Sequence, residues 1–297
     1  MRDELIAPSI SLYIKDECPD IIITYSQDAT RIIKLYVKTN IPVITMFHLS
    51  PNSVLEQSTP VTKSMLSKSE IIQVLTPKYI NDVKKFVNNN HIICIPNCVP
   101  NVVLPNSINE IKEDLIIYPA RIDTGKRQHL LIEAFNLINK SFPTWKVEFW
   151  GDTSVNKKYY KKLLLMVKNY DLQDKVIFKG VTKNIFNELC RAKICAFPSE
   201  SEGFSLALTE ALSAELPAVG FKNSDFINEV IKNDINGYLC EDNIESFANA
   251  ILEIMVSDNL RIKLGIGARQ SVEQYSENYV WEKWETIIKK CVTENKR

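Results

Sequence analysis

Short runs of β-branched and apolar residues, separated by longer stretches of helical periodicity, set what this chain can fold into. Ile21-Ile22-Ile23, Val43-Ile44-Thr45-Met46, Ile71-Ile72-Gln73-Val74-Leu75 and Ile92-Ile93-Cys94-Ile95 read as buried strands. The intervening stretches 28–39 and 77–88 repeat their apolar residues with a helical period. Continuously apolar strands that alternate with helices indicate parallel sheets with crossover helices. Pro96, Pro100, Pro105 and several asparagines gather over 96–110, a composition suited to an interdomain linker. The pattern then resumes. Strands are expected at 115–119, 146–150, 175–179, 194–197, 217–221 and 237–240. Helices are expected at 127–139, 156–169, 184–191, 204–214, 244–256 and 258–272, and a last one at about 276–293 carries Trp281 and Trp284. The expected fold is α/β, two Rossmann-like domains with about four strands in the first and six in the second.

Composition narrows the function. The 36 basic and 36 acidic residues cancel, which argues against a general nucleic-acid binder. A 45% hydrophobic content over 297 residues excludes disordered and collagenous chains. Seven scattered cysteines without a Cys-x-x-Cys read as buried free thiols in a reducing compartment. The three histidines, His48, His91 and His129, do not stand at zinc-ligand spacing from a cysteine pair. The N-terminus has no apolar signal core, and no run approaches the ~18 apolar residues that span a bilayer, so a soluble, cytoplasmic chain is expected. Lys157, Lys158, Lys161 and Lys162 cluster at the start of one expected helix. The ordinary reading is a solvated face; the sharper one is peripheral contact with the inner face of a membrane. Glycine is scarce: there are 8, and none precedes Gly125, so any glycine-bearing phosphate loop must lie in the second part of the chain.

Two segments there could carry chemistry. Pro198 to Ala211 leaves the strand at 194–197 and opens a helix. Loops at the carboxyl ends of parallel strands are where open α/β sheets bind ligands, and a helix N-terminus suits phosphate. Gly203 lets the backbone approach a ligand closely, and Glu210 could accept two hydrogen bonds from vicinal sugar hydroxyls. Pro119 to Arg127 follows the first strand of the second domain, and its Arg121 and Lys126 could flank a diphosphate. Taken singly, each of these charges is an ordinary surface group.

Together the segments resemble the GT4-type retaining glycosyltransferases (glycosyl transferases group 1) of the GT-B fold. The resemblance rests on Arg121 with Lys126, and on Glu202-Gly203-Phe204 with Glu210 eight positions after Glu202. Leu130 to Phe135, Phe178-Lys179-Gly180, Asn228 to Ile231, Asn236 to Leu239, Pro42 to His48 and Ile95-Pro96-Asn97 follow in the family's order, so the match covers about residues 20–295.

The resemblance implies a hexosyltransferase-type enzyme that moves a sugar from a nucleoside-diphosphate sugar to a glycan or lipid-linked acceptor, with retention, in polysaccharide biosynthesis. It implies that Arg121 and Lys126 bind the donor diphosphate and that Glu210 holds the ribose hydroxyls. Glu202, with the backbone of Gly203, Phe204, Ser205 and Leu206, would face the donor sugar and phosphates. Backbone at Gly180 and Val181 would meet the base, and His48, with Glu202, would serve catalysis. Taken alone, His48 reads as a core or loop histidine. The chain contains no Asp-x-Asp, so no metal and no other cofactor is expected, and positive charge would come from Arg121, Lys126 and the helix N-terminus.

The chain departs from the family in its first domain. Only about 18 residues precede the segment matched by Pro19 to Ile23, so the glycine-rich acceptor loop and the strands before it are missing relative to the family. Cys98 and Glu215 stand where the family favours glycine. The expected division is a shortened acceptor-side domain over 1–108, a nucleotide-sugar-binding domain over 109–275, and a helix over 276–297 that packs back toward the first domain. A half-enzyme that binds nucleotide sugar and needs a partner chain is the alternative, and a GT-B phosphorylase or epimerase is a third reading.

Overall fold

The computed structural model describes residues 2–37, 39–99 and 112–295. It divides into two compact units, one formed by 1–98 with 277–297 and the other by 99–276. Most of the expected linker, at 100–110, lies outside the described residues.

The first unit holds four parallel strands, β1 (Ile22–Thr24), β2 (Val43–Met46), β3 (Ile71–Val74) and β4 (Ile92–Cys94), in that spatial order. Right-handed crossovers in a sequential order place every connecting helix on one face of the sheet. On that face, Thr24, Thr30 and Thr45 share hydroxyl hydrogen bonds of 2.6 and 2.8 Å, and Thr45 continues to Ser69 at 2.8 Å. The other face presents Ile23, Ile44, Met46, Ile71 and Ile93. It is covered by the helix Glu277–Asn295, whose Val280, Trp284, Ile287, Ile288 and Cys291 form one stripe at helical spacing. Between this helix and β1–β2 lies a groove of about 750 Å³ lined by Ile23, Tyr25, Met46, Trp281, Trp284 and Ile288.

The second unit holds six parallel strands: β5 (Leu115–Pro119), β6 (Lys146–Trp150), β7 (Val176–Gly180), β8 (Ile194–Phe197), β9 (Ala218–Phe221) and β10 (Gly237–Cys240). Their order is β10-β9-β8-β5-β6-β7. The chain therefore winds outward from β5 through β6 and β7, then returns to the other side of β5 and winds outward again. The order reverses between β5 and β8, which makes this edge-to-edge crevice the switch point of a doubly wound sheet. β5, β8 and β9 are buried throughout, and the side chains of Tyr118, Phe135, Phe149, Phe197 and Phe247 fill the core.

Local chemistry punctuates the elements. Ser26, Thr59, Asn156, Asn184, Ser205, Asn243 and Ser257 cap helices with side-chain oxygens, and Pro51, Pro60 (just after the Thr59 cap) and Pro77 stand in first turns, where a missing N–H costs nothing.

The strands fall within a residue or two of their expected positions. Three helices of the first unit, Arg2–Glu17, Pro51–Leu55 and Pro60–Leu66, are not anticipated by the periodicity. The first has almost no apolar face, with Leu5, Leu12 and Tyr13 exposed, and the others are too short for a period to register. The helix expected at 28–39 is an α-helix over Gln27–Ile32 that continues as a π-helix over Ile33–Val37. All seven cysteines are free, but only Cys195, Cys240 and Cys291 are buried; Cys18 is exposed and the other three are intermediate, which corrects the uniform burial expected from the sequence.

Candidate functional site in the second unit

The loops that leave β5 and β8 stand on either side of the switch point. After β5 the chain runs through Ala120 to Asp123, makes a 3₁₀ turn over Thr124–Lys126, and enters the helix Gln128–Ile138. Asp123 caps the turn by accepting a 2.7 Å hydrogen bond from the Thr124 N–H. Arg127 joins turn to helix in the left-handed region at φ 53°, a conformation that costs a non-glycine residue energy. Its guanidinium is tied down in return: it forms a bidentate pair with Asp242 and lies 5.1 Å from the centre of the Phe221 ring. That pairing holds the Asp242 carboxyl below its usual pKa.

After β8 the chain runs from Pro198 to the helix Leu206–Ser213, which Ser205 caps by accepting from the Leu208 N–H at 3.3 Å. The Phe204 ring packs at 4.4 Å from Phe226 and 5.5 Å from Tyr275, and so anchors the loop at its last turn. Glu210 lies one turn into the helix and is half-buried; burial raises its carboxyl pKa.

The two loops are bonded to each other. The Tyr118 hydroxyl, fully buried at the end of β5, donates to the Lys126 carbonyl at 2.9 Å and lies 2.7 Å from the Ser199 hydroxyl. Burial drives the Tyr118 pKa far up, so the phenol stays neutral and able to donate. The Glu200 N–H donates to the Gly125 carbonyl at 3.0 Å. The Lys126 ammonium and the Glu202 carboxylate meet at 2.6 Å. Gln128 reaches back to the Arg121 carbonyl at 2.9 Å. Arg121 itself is exposed and 3.6 Å from Asp123.

Next to β5, the end of β6 approaches so closely that a Cβ at Gly151 would stand 2.2 Å from the Ala120 carbonyl oxygen. Gly151 also donates to the Gly180 carbonyl at 2.8 Å, which links the ends of β6 and β7. Gly180 turns the chain at φ 77° with open space around it, and Val181 after it is exposed.

Ten of the residues expected to act, Arg121, Lys126, Gly180, Val181, Glu202, Gly203, Phe204, Ser205, Leu206 and Glu210, therefore belong to the strand end, the loops or the first two helical turns at the carboxyl edge of one sheet. His48 belongs to the first unit, after β2. Its ring stacks on Tyr25 at 5.5 Å between centroids, and its buried Nε2 has no hydrogen-bond partner among the described residues. Burial lowers its pKa, which keeps the imidazole neutral at pH 7. Nothing in the sequence marks Tyr118 or Gly151 as part of this edge, and Ser199 lies in the Pro198–Ala211 segment without a role of its own there. A tyrosine inside Leu115-Ile116-Ile117-Tyr118 reads as core, and only its hydroxyl partners reveal the tie. Among the described residues no group of three or more His, Cys, Asp or Glu could hold a metal ion, and no helix is long and apolar enough to cross a membrane.

A family model described as glycosyl transferases group 1 matches residues 105–271. An uncharacterized glycosyltransferase of Haemophilus influenzae is 27% identical over 207 residues, which is 69% of this chain and 57% of that protein. The poly(ribitol-phosphate) alpha-N-acetylglucosaminyltransferase of Staphylococcus aureus is 32% identical over 174 residues, 58% of this chain and 34% of that protein. These curated relatives thus have substantial length that this chain does not span. An Anabaena protein solved in complex with UDP superposes with a TM-score of 0.84 at 15% identity, over 96% of this chain and 82% of that one. Structures of this kind share the two-sheet GT-B architecture.

Proposed function

This chain belongs to the glycosyl transferases group 1 family, and from that premise we propose that it transfers a sugar from a nucleoside-diphosphate sugar to a glycan or lipid-linked acceptor, with retention of configuration. The observation that carries the reading is the pair of bonded loops at the β5/β8 switch point. They bring a fixed cation, a helix N-terminus and a half-buried carboxylate to one edge of the sheet.

Charge builds on the diphosphate as the glycosidic bond breaks. Lys126 and Arg121 supply positive charge on that side, and the first N–H groups of helix 206–213 supply a partial positive end. Their backbone is held by the Tyr118 hydroxyl and the Glu200–Gly125 bond, so little reorganisation accompanies the reaction. In this reading the protein's own cations do the electrostatic work, and no metal is invoked. Glu210 accepts the ribose hydroxyls, open backbone at Gly180 and Val181 leaves room for a base, and Glu202 serves the sugar. His48 is assigned to the donor sugar on the resemblance, with a neutral imidazole and an uncommitted Nε2. UDP is the first nucleotide to test, because a structural relative binds it.

The experiment is a calorimetric panel of UDP, GDP and ADP, followed by transfer assays. Lys126→Ala and Glu210→Ala should each reduce donor turnover by at least tenfold, about 1.4 kcal/mol or more of lost transition-state stabilisation. Undiminished transfer by both variants would falsify the reading.

A second reading is supported by the groove beside β1: a nucleotide-sugar-binding subunit that transfers only with a partner chain. It differs in one outcome, namely nucleotide binding without transfer until the partner is added. Peripheral attachment to an anionic membrane also belongs to the proposal. The helix Lys157–Asn169 carries five lysines and no acid, and it exposes Leu164 and Leu165 among them.

A further inference from the structure

Resting on the nucleotide-sugar reading of this site, we propose that Glu202 is an internal counter-anion for Lys126. It occupies the ammonium while the site is empty and yields it to the diphosphate when donor arrives, so that it opposes the bare nucleoside diphosphate more than the nucleotide sugar.

The pair joins the two loops: Lys126 ends the turn after β5, and Glu202 lies in the loop after β8. The contact is 2.6 Å, and the side chains are only 21% and 11% exposed. Screening there is weaker than on an open surface, so the attraction is correspondingly greater. The backbone on both sides is pinned by the Tyr118 hydroxyl to Lys126 and Ser199, and by Glu200 to Gly125. The loops therefore need not part for the partners to change. A lysine ammonium turns on four flexible bonds, and a glutamate carboxylate on three. The exchange is a side-chain event.

Charge decides its direction. A diphosphate offers several oxygens and more than one negative charge to an ammonium that otherwise faces one carboxylate. Once displaced, Glu202 remains a carboxylate beside the incoming phosphates, and the like charges repel. A donor sugar can relieve that repulsion, because its hydroxyls donate hydrogen bonds to a carboxylate. The product nucleoside diphosphate has lost the donor sugar, and in this reading its ribose hydroxyls are held by Glu210, so it cannot. Glu202 thus acts as a gate on charge, penalising the product relative to the donor and hastening product release.

The test compares the wild-type chain with Glu202→Gln, which keeps size and removes charge, using calorimetry with UDP, GDP and ADP and with the UDP-, GDP- and ADP-sugars. Glu202→Gln should bind the bare diphosphate about three- to tenfold more tightly, with a smaller gain for the nucleotide sugar. Measured against Lys126→Ala, the double variant Lys126→Ala/Glu202→Gln should show a clearly smaller gain, because the competition is gone and only the direct repulsion of the phosphates remains. Unchanged or weaker diphosphate binding by Glu202→Gln, or an equal gain without Lys126, overturns the proposal. A thermal melt and Glu202→Ala separate misfolding from loss of charge: a tighter diphosphate complex in the alanine variant supports exchange, and a looser one opposes it. If the wild-type chain binds none of the three nucleotides, the nucleotide-sugar reading itself fails, and this inference with it.

Discussion

Glu210 shows how one residue's surroundings become a measurable property of the site. Its carboxyl is held above the ordinary 4.5 by burial, so it takes up a proton at a higher pH than an exposed glutamate. The carboxylate presents two accepting oxygens to the two ribose hydroxyls, whereas protonation turns one of them into a donor. Nucleotide affinity should therefore rise with pH through the Glu210 pKa and be lost on acidification, starting above pH 4.5. Calorimetry between pH 4.5 and 8 should show this slope, and Glu210→Gln should flatten it while weakening binding at pH 7. The same burial opposes ionisation in the folded state, so its unfavourable contribution to stability appears as pH rises and the unfolded carboxyl ionises. Arg121, Lys126, Glu202 and Glu210 were legible as loop and helix positions because they follow apolar strand runs; singly each reads as a surface charge, and only their joint spacing sets them apart. Tyr118 and Gly151 were not legible. A phenol within a strand looks like core until its hydroxyl partners are seen, and a glycine's value lies in a close approach of segments about thirty residues apart, where a Cβ would stand 2.2 Å from a carbonyl oxygen. Glu215, which stands where the family favours glycine, does adopt the left-handed φ of 59° that glycine takes freely.

At the scale of elements, the helix Glu277–Asn295 has the clearest energetic role. Its stripe covers the face that the crossover helices of the first sheet leave bare. Trp284 is 8% exposed within that stripe, and Trp281, three residues earlier on the mouth of the groove, is 60% exposed. Trp284→Ala should cost about 3–5 kcal/mol in urea melts, by analogy with buried aromatic truncations. Trp281→Ala should change stability by about 0.5 kcal/mol or less. Equal costs would show that the helix packs through a different face. The sequence signalled this helix by its two tryptophans and its length. It did not signal the short helices at Pro51–Leu55 and Pro60–Leu66, where proline caps and only a few residues leave no period to read.

At the scale of the whole molecule, charge balance hides a local excess. The chain is neutral overall, yet the helix Lys157–Asn169 gathers five lysines. Burial raises the Glu133 pKa, and the charge of Lys162 opposes that shift. Binding to vesicles with anionic lipid should therefore be local and salt-sensitive, at roughly 1 kcal/mol per lysine near the surface. Flotation with phosphatidylglycerol vesicles should retain the protein at low salt and release it at high salt. Lys158→Glu/Lys162→Glu should lose the vesicles and keep nucleotide affinity. Retention on purely zwitterionic vesicles would refute an electrostatic attachment. The doubly wound second sheet was readable from its strand spacing. The strand order was not, because an order is a set of pairings between distant segments and leaves no mark in local periodicity.

The division of the first unit between residues 1–98 and 277–297 also imposes a timetable on synthesis. The ribosome releases the four strands early, but the helix that seals Ile44 and Ile71 is translated only after every residue of 99–276. At ordinary elongation rates that interval is on the order of 10 to 40 seconds. The nested unit can complete its own sheet meanwhile, whereas the enclosing one waits with an apolar surface open to chaperones. A nascent chain arrested before residue 277 would therefore carry one finished fold and one unsealed one.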